Sequence, residues 1–525
     1  MIGGAGSDER EAVRQIKQEF LGLTGLRDVD AVVEQPGQER YLAFVVGRKA
    51  PFYENVLARI NQKRSPADPF YGALVLTVVR QADVLRSQEV ALLRALVQRS
   101  LRVTSASVDA PPLVEFAPFR SGEELTVIQP ANHAILGRRG VGKSTLILTA
   151  YRRIASEGHV PVWLDLEPYR GAKTLGELAP AVTMAFRLAA DFAAHRGMDS
   201  LSLVSAYELV QVVAAEGEEA LRRAVPELNA LVSEFTKRNP AQLYMFLDDA
   251  HYVQAELQPL LLELLHGALK GAGGWLNVAG LKNFLKLYDR EKMRGLQAGQ
   301  DVLEVDLDLT LAEPAEAYDH LFGILQRFLT ACGFTKHTTI IPERAIKRLV
   351  WSSAGVARDF LSLFERAIGH AQAHRRGRVG VEDVNLSVGD LAAPKMRELE
   401  EDTSQEGPLI RDALEQLQRV CLNKHKSNSF LIRQEPRALG YQLLQKLVDL
   451  RLVHLLHPSV TPRRAGERYE AYLLDYSFYT GVRKRRLLEE LTIIPGEPWS
   501  HAQRRRLPRI EPDELVTPAE RSGDD

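Results

Sequence analysis

The sequence predicts an α/β protein in which a parallel sheet is covered by helices, with an α+β block before it and further helical units after it. Three observations carry that reading. Between about residues 120 and 310, short apolar runs alternate with helical patterns, and runs apolar on both faces suit a parallel sheet buried between helices. A glycine-rich loop stands directly after the first of those runs. From about residue 310 to 395 the spacing of apolar residues becomes helical instead.

Bulk properties narrow the class. The 525 residues leave room for about two to four domains. With 45% apolar and 26% charged residues, the balance is that of an ordinary globular protein. A formal net charge of −1 excludes a polycation, so any nucleic-acid surface must be local. Cys332 and Cys421 are the two cysteines, and neither belongs to a C-x-x-C pair. Neither a structural zinc site nor a disulfide framework is expected; two small buried or half-buried thiols are. No apolar run reaches about 18 residues and the N-terminus carries no signal-peptide pattern, so a soluble cytoplasmic protein without a membrane partner is expected.

In chain order, residues 1–110 read as an α+β block of unknown role. It holds a helix at Glu11–Phe20, a hairpin in "AVVEQPGQERYLAFVV" with Pro36-Gly37 as its turn, and helices at about 51–62, 68–80 and 87–102. "SASVDAPPLVEFAP" reads as a linker. Residues 115–310 form the α/β core, with strands in "NHAILG", "VPVWLDL", "QLYMFLDD", "WLNVAGL" and "DVLEVDL". The stretch from about 170 to 240 reads as a mostly helical insertion. Residues 311–395 form a helical unit. In it, Phe360, Leu363, Phe364, Ala367, Ile368 and Ala371 recur at helical spacing. Residues 405–485 read as two helices and two apolar stretches, "RLVHLL" and "YEAYLLDYSFY", joined by the basic connection "HPSVTPRRAGER". Residues 495–525, rich in Pro, Arg and acids, read as a disordered tail.

The glycine-rich loop matches G-x-x-x-x-G-K-[ST] over Gly137, Arg138, Arg139, Gly140, Val141, Gly142, Lys143 and Ser144, with Thr145 following. Its glycines let the backbone turn so that several N–H groups face one set of phosphate oxygens. The helix that follows adds its positive end. Lys143 reaches the β and γ phosphates and the Ser144 hydroxyl ligates Mg²⁺. The strand–loop–helix context predicts a P-loop NTPase sheet that holds a nucleotide with Mg²⁺. "LYMFLDD" ends a buried strand on two carboxylates. Asp248 is the metal-side acid and Asp249 the residue that readies the attacking water for a slow or partner-stimulated ATPase. The bland alternative is a strand ending in two solvated acids. After "VAGLKN", Asn283 is the first choice for a polar residue beside the γ phosphate and Lys282 the second; a surface pair is the alternative. Arg290 and Arg294 in "LYDREKMRG" either reach a neighbouring subunit's γ phosphate or line a solvated helix face. Arg358 in "SSAGVARDF" starts a helix, from which it either turns onto the nucleotide or pairs with a carboxylate one turn away.

The ordered set "GRRGVGKST", "MFLDDAH", "VAGLKN" and "SSAGVARDFLSLFERA", followed by a winged-helix-like segment, resembles AAA+ ATPases of the origin-recognition initiator type, in particular bacterial relatives tied to defence or mobile elements. The Asp-Asp pair followed by His is also similar to signalling ATPases of the STAND class. The resemblance spans residues 115–485, about 70% of the chain. It implies a five-stranded parallel core, a helical lid at 311–395, a C-terminal winged helix, ATP and Mg²⁺, assembly into homo-oligomers or with partner proteins, and double-stranded DNA as partner. It gives Lys143, Ser144, Asp248, Asp249, Asn283 and Arg358 nucleotide-facing roles. Two features depart from it: Asp249 stands where initiators have Glu, and the insertion before the third core strand is long.

Residues 405–510 carry about eight more Lys and Arg than Asp and Glu in a chain otherwise acidic. A winged helix sets one helix in the major groove and its hairpin tip along the backbone. Arg463, Arg464 and Arg468 fall at the expected tip. The helix "RALGYQLLQKLVDLRLV" would offer Arg437, Gln442, Gln445 or Lys446 to a duplex. A wing that binds protein instead is the alternative.

Overall fold

The structure is a computed structural model that describes residues 7–34, 41–47, 50–66, 68–78, 84–108, 114, 116–119, 121–402, 407–460, 468–479 and 504–516. It is an α/β core built on a five-stranded parallel sheet, with an α+β block before it, and a helical lid and winged helix after it.

In the N-terminal block, strands β1 (Asp30–Glu34) and β2 (Tyr41–Val46) pair antiparallel, and β3 (Leu74–Val78) lies parallel to β2. The Pro36-Gly37 turn lies outside the described residues. The helix expected at 68–80 is instead this third strand. "LVLTV" is a β-branched run, and the helix Pro51–Gln62 provides the crossover that brings it parallel to β2. Helices Ser7–Thr24 and Gln88–Ser100 complete the block.

The core sheet joins β4 (His133–Leu136), β5 (Val160–Asp165), β6 (Leu243–Asp248), β7 (Gly274–Gly280) and, after a two-stranded ribbon of β8 (Tyr288–Asp289) and β9 (Arg294–Gly295), β10 (Leu303–Asp306). Its order is β10-β4-β7-β6-β5, parallel throughout. Every residue of β4 and β6 is buried, which is why neither shows alternation. The order brings the carboxyl ends of β10, β4, β7 and β6 side by side, where open parallel sheets bind ligands. The insertion is helical as expected, with helices Ala179–His195, Leu201–Glu216, Glu218–Arg223 and Val225–Arg238.

The lid comprises helices Pro314–Ala331, Glu343–Ser353, Ala357–Ala373 and Val381–Gly389. The N-terminal block docks on it. Arg94 pairs with Glu365 at 2.6 Å and donates to Gln372 at 3.0 Å. Its apolar residues and those of lid and wing form one continuous core.

The winged helix contains helices Gly407–Gln418 and Leu439–Asp449 and strands β11 (Ser429–Arg433), β12 (Val453–Val460) and β13 (Tyr469–Leu474). β13 lies between β12 and β11, antiparallel to both. The expected disordered tail is corrected over 504–516. There β14 (Arg509–Ile510) extends the wing sheet parallel to β11, and the turn Pro512–Leu515 covers the start of helix Leu439–Asp449. A Cβ on Gly440 would run into the Pro512 carbonyl oxygen, an approach only glycine permits. Apolar Ile510 and Leu515 hold the segment down, being fully or almost fully buried. Among the described residues, no helix is long and apolar enough to cross a membrane.

Candidate functional site

The loop from Gly137 to Ser144 leaves β4 and enters helix Lys143–Ser156. Gly137, Gly140 and Gly142 have φ of 147°, 78° and 113°, backbone that side chains rarely adopt. Val141 packs beneath the loop, and Thr145 lies in the first helical turn. The Lys143 ammonium is buried and donates to the carbonyls of Gly137 at 2.9 Å and Arg138 at 3.1 Å. Burial lowers its pKa, against the pull of the Asp249, Asp308, Asp248 and Asp449 carboxylates.

Asp248, at the end of β6, is buried. Burial, then the neighbouring Asp249, pushes its carboxyl up to about 7, while a hydrogen bond from Ser144 opposes the rise. The Ser144 hydroxyl and Asp248 carboxylate therefore stand together, two oxygens of the kind a hard divalent cation takes. Asp249 has a left-handed φ of 53°, and its N–H donates to Asp248 at 3.0 Å. Its side chain is partly open to solvent, 3.9 Å from the His251 ring. His251 is buried and held neutral by burial and the nearby Lys143, Arg139 and Arg170 cations.

Arg138 and Arg139 belong to the loop signature, and their side chains are held by protein partners. Arg138 is buried and pairs with Asp308 at 3.1 Å, and the Asp308 carboxylate also accepts its N–H at 2.8 Å. Its guanidinium reaches the carbonyls of Leu309 and Ala354 and lies 3.4 Å from His454 of the wing. Arg139 extends toward Glu398 at 3.8 Å. Arg358 sits where the sequence places it, at the first turn of helix Ala357–Ala373. Its N–H donates to the Gly140 carbonyl at 3.0 Å, and a Cβ on Gly140 would come 2.7 Å from its own Cβ. The lid thus rests directly on the loop.

Sequence reasoning missed how the wing meets this site. Asp449, the last residue of helix Leu439–Asp449, is buried against the end of β7. Its carboxylate accepts the Asn283 N–H at 2.6 Å and the Asn283 amide at 3.2 Å, and its carbonyl accepts the Arg139 N–H at 3.1 Å. Behind it runs a buried charge network. Arg451 pairs with Asp359 and Glu398, and Lys395 pairs with Asp359 at 3.1 Å and Asp475 at 2.6 Å. His454 lies 2.7 Å from Asp475. Burial alone would raise the Asp475 carboxyl, but Lys395 and His454 hold it below the ordinary carboxylate range. No local signal marked these residues, because an acid closing an amphipathic helix is ordinarily a surface residue.

The remaining candidates fall elsewhere. Lys282, the second choice beside Asn283, pairs with Asp306 at 2.7 Å. Arg294 lies on β9 opposite Asp289, so the helix face expected there is a β-ribbon. Lys446, expected to face a duplex, stands 5.5 Å from the Phe284 ring of the core, and Gln445 donates to Tyr472 at 2.7 Å. In this arrangement these two residues belong to the domain junction. Arg468 is exposed beside β13. Arg463 and Arg464 lie outside the described residues.

The AAA ATPase domain family matches residues 129–273. No curated protein matches the chain. Among solved structures, a Walker-type ATPase of Pyrococcus abyssi is 17% identical, with 70% of this chain and 97% of that one covered and a TM-score of 0.41. The ORC2 protein of Aeropyrum pernix is 17% identical over 73% and 96% of the two chains, with a TM-score of 0.37. The ORC1 protein of the same organism, solved in complex with DNA, is 16% identical over 70% and 92%, with a TM-score of 0.35. Residues 129–273, the part of the chain that matches the AAA ATPase domain family, carry Lys143, Ser144, Asp248 and Asp249 on the sheet edge just described.

Proposed function

We propose that the chain is an ATP-dependent switch. It binds ATP with Mg²⁺, hydrolyses it slowly, and uses the nucleotide state to set whether its winged helix is free to engage DNA or a partner complex. The observation that carries this reading is the convergence of Lys143, Ser144, Asp248 and Asp249 at one sheet edge on which the wing also rests. Loop N–H groups, Lys143 and the positive end of helix Lys143–Ser156 fit a chain of phosphates. The Ser144 and Asp248 oxygens would hold Mg²⁺, which supplies neutralisation of developing charge when bound. Asp249 orients the attacking water. Its side chain is one methylene shorter than Glu, which supports slow turnover. Arg358 reads nucleotide from the lid, and Arg294 is a candidate for action on a neighbouring copy in an oligomer.

Asp249→Ala is expected to retain ATP binding within a fewfold while steady-state phosphate release falls by about 10²-fold or more. Turnover at the wild-type rate would remove Asp249 from the reaction.

DNA is the partner class favoured by charge. Arg468, Arg505, Arg506 and Arg509 are exposed around β13 and β14. ATPase rate is to be measured with and without duplex DNA across salt. The expected result is stimulation, with affinity falling about tenfold or more between 50 and 200 mM salt, as contacts to a few phosphates require. The docked wing favours a second reading, a STAND-like signalling ATPase whose wing binds protein. Turnover unmoved by DNA at any salt selects it.

A further inference from the structure

We infer that the wing carries a peptide-binding groove, filled here by the chain's own segment 504–516, and that copies of the chain exchange this segment to join one another. The groove is the open side of β11 with the start of helix Leu439–Asp449 and the neighbouring helix Gly407–Gln418. Its occupant in trans is the identical segment of a second copy. The contacts that carry this lie outside the nucleotide site, so it goes beyond the proposed ATP-dependent switch.

The segment docks as an added peptide. Its ladder with β11 is two residues long, Leu431 opposite Arg509 and Ile432 opposite Ile510, and the Leu431 N–H donates to the Pro508 carbonyl at 2.8 Å. Main-chain bonds of this kind hold an extended peptide on a sheet edge, and pockets for its side chains select it. The pockets here take Ile510 and Leu515, 0% and 1% exposed, while Arg509 lies outside over the Tyr469 ring at 5.2 Å. Charge is complementary along the same line. Glu514 pairs with Lys424 at 2.6 Å, and Glu511 lies 3.7 Å from Arg433. Gly440 completes the groove, because only a residue without Cβ lets the Pro512 carbonyl lie against the helix. With the segment gone, β11 becomes an edge strand, which is a template for another chain.

Chain length makes exchange possible. The docking contacts named above are all made with the wing, and residues 480–503 join the segment to Tyr479. At about 3.3–3.6 Å per residue when extended, that connection reaches the groove of a neighbouring copy. The contacts are the same in cis and in trans, so exchanging the segment sacrifices none of them. What opposes exchange is the tether, which keeps a chain's own segment at an effective concentration on the order of millimolar. Dilute chains therefore close on themselves. Copies crowded together on one partner exchange, and the link between them forms only where they are already concentrated.

Two full-length variants separate groove from segment. Gly440→Ala blocks the groove with a residue that helices favour and leaves the segment intact. Ile510→Asp/Leu515→Asp spoils the segment and leaves the groove empty. Thermal unfolding checks that both are folded, and Ile510→Ala/Leu515→Ala takes the place of the Asp pair if that pair unfolds the wing. A fluorescein-labelled synthetic peptide of residues 504–516 is titrated into each chain and followed by anisotropy. The segment variant is expected to bind it about tenfold or more tighter than wild type, whose tethered segment competes. Adding Gly440→Ala to the segment variant should abolish that gain. Sedimentation velocity gives the second readout. An equimolar mixture of the groove and segment variants should form a heavier species absent from either alone, since one supplies a free segment and the other an empty groove. No gain in peptide binding by a folded segment variant would overturn the groove. Peptide uptake with a mixture that sediments like its components would overturn exchange between copies. Either failure leaves the proposed ATP site standing.

Discussion

Lys143→Ala is expected to lower affinity for ATP and ADP by roughly a hundredfold or more, read by titration with a fluorescent nucleotide. The ammonium would make at least two charge-assisted contacts to phosphate, each worth about 1.5–3 kcal/mol, and about 2.8 kcal/mol is a hundredfold. In the structure it is buried and donates to the Gly137 and Arg138 carbonyls, so a nucleotide exchanges those two acceptors for phosphate oxygens. Removing the cation also leaves Asp248, Asp249, Asp308 and Asp449 without their shared counter-charge. Thermal unfolding therefore has to accompany the titration. A folded variant that binds within threefold of wild type would sink the assignment of this loop. Lys143→Arg keeps the charge but is no conservative rescue, because a planar guanidinium does not fit where a compact ammonium is enclosed by loop carbonyls.

Arg451→Met is expected to cost about 3–5 kcal/mol of stability, the usual penalty for removing one partner of a buried ion pair. Arg451 is 1% exposed and holds Asp359 of the lid and Glu398 of the helix Ala392–Asp402. Without it, the ion pair left to Asp359 among the described residues is with the Lys395 ammonium, which Asp475 shares. Burial pushes the Asp359 carboxyl up, and its present low pKa depends on Arg451 first and Lys395 second. The loss is measurable as a lower urea midpoint for the transition that reports lid and wing, whose apolar residues share one core. A shift below about 1 kcal/mol would mean that the pair is solvated in solution and does not tie wing to lid.

Much of the core was legible from local pattern. The five strands fall where the sequence places them; β4, β5, β6 and β7 are almost wholly buried and therefore almost wholly apolar, whereas β10 is a mostly exposed edge strand. The loop geometry was legible because only glycine accepts the backbone at Gly140 and Gly142. Two readings failed for identifiable reasons. At 68–80, "LVLTVV" was ambiguous between a buried helix and a strand, and pairing with β2 decided it. In 504–516, Ile510 and Leu515 are too few to announce a strand and a turn. They become ordered because the wing sheet has an open edge for β14 and because Gly440 lets the chain approach.

The sequence by itself determined the chemistry available at the sheet edge: a lysine, a serine and two aspartates on a strand–loop–helix frame. Local geometry suffices there, because backbone conformation and strand burial are properties of short segments. Only the tertiary structure decided what controls that edge. Asp449 is 166 residues from Asn283, and Arg138 is 316 residues from His454. No periodicity or spacing reports contacts at such separations. They follow from one continuous core that sets lid and wing against the loop, and from the cost of leaving Arg138, Arg451 and Asp475 buried without partners.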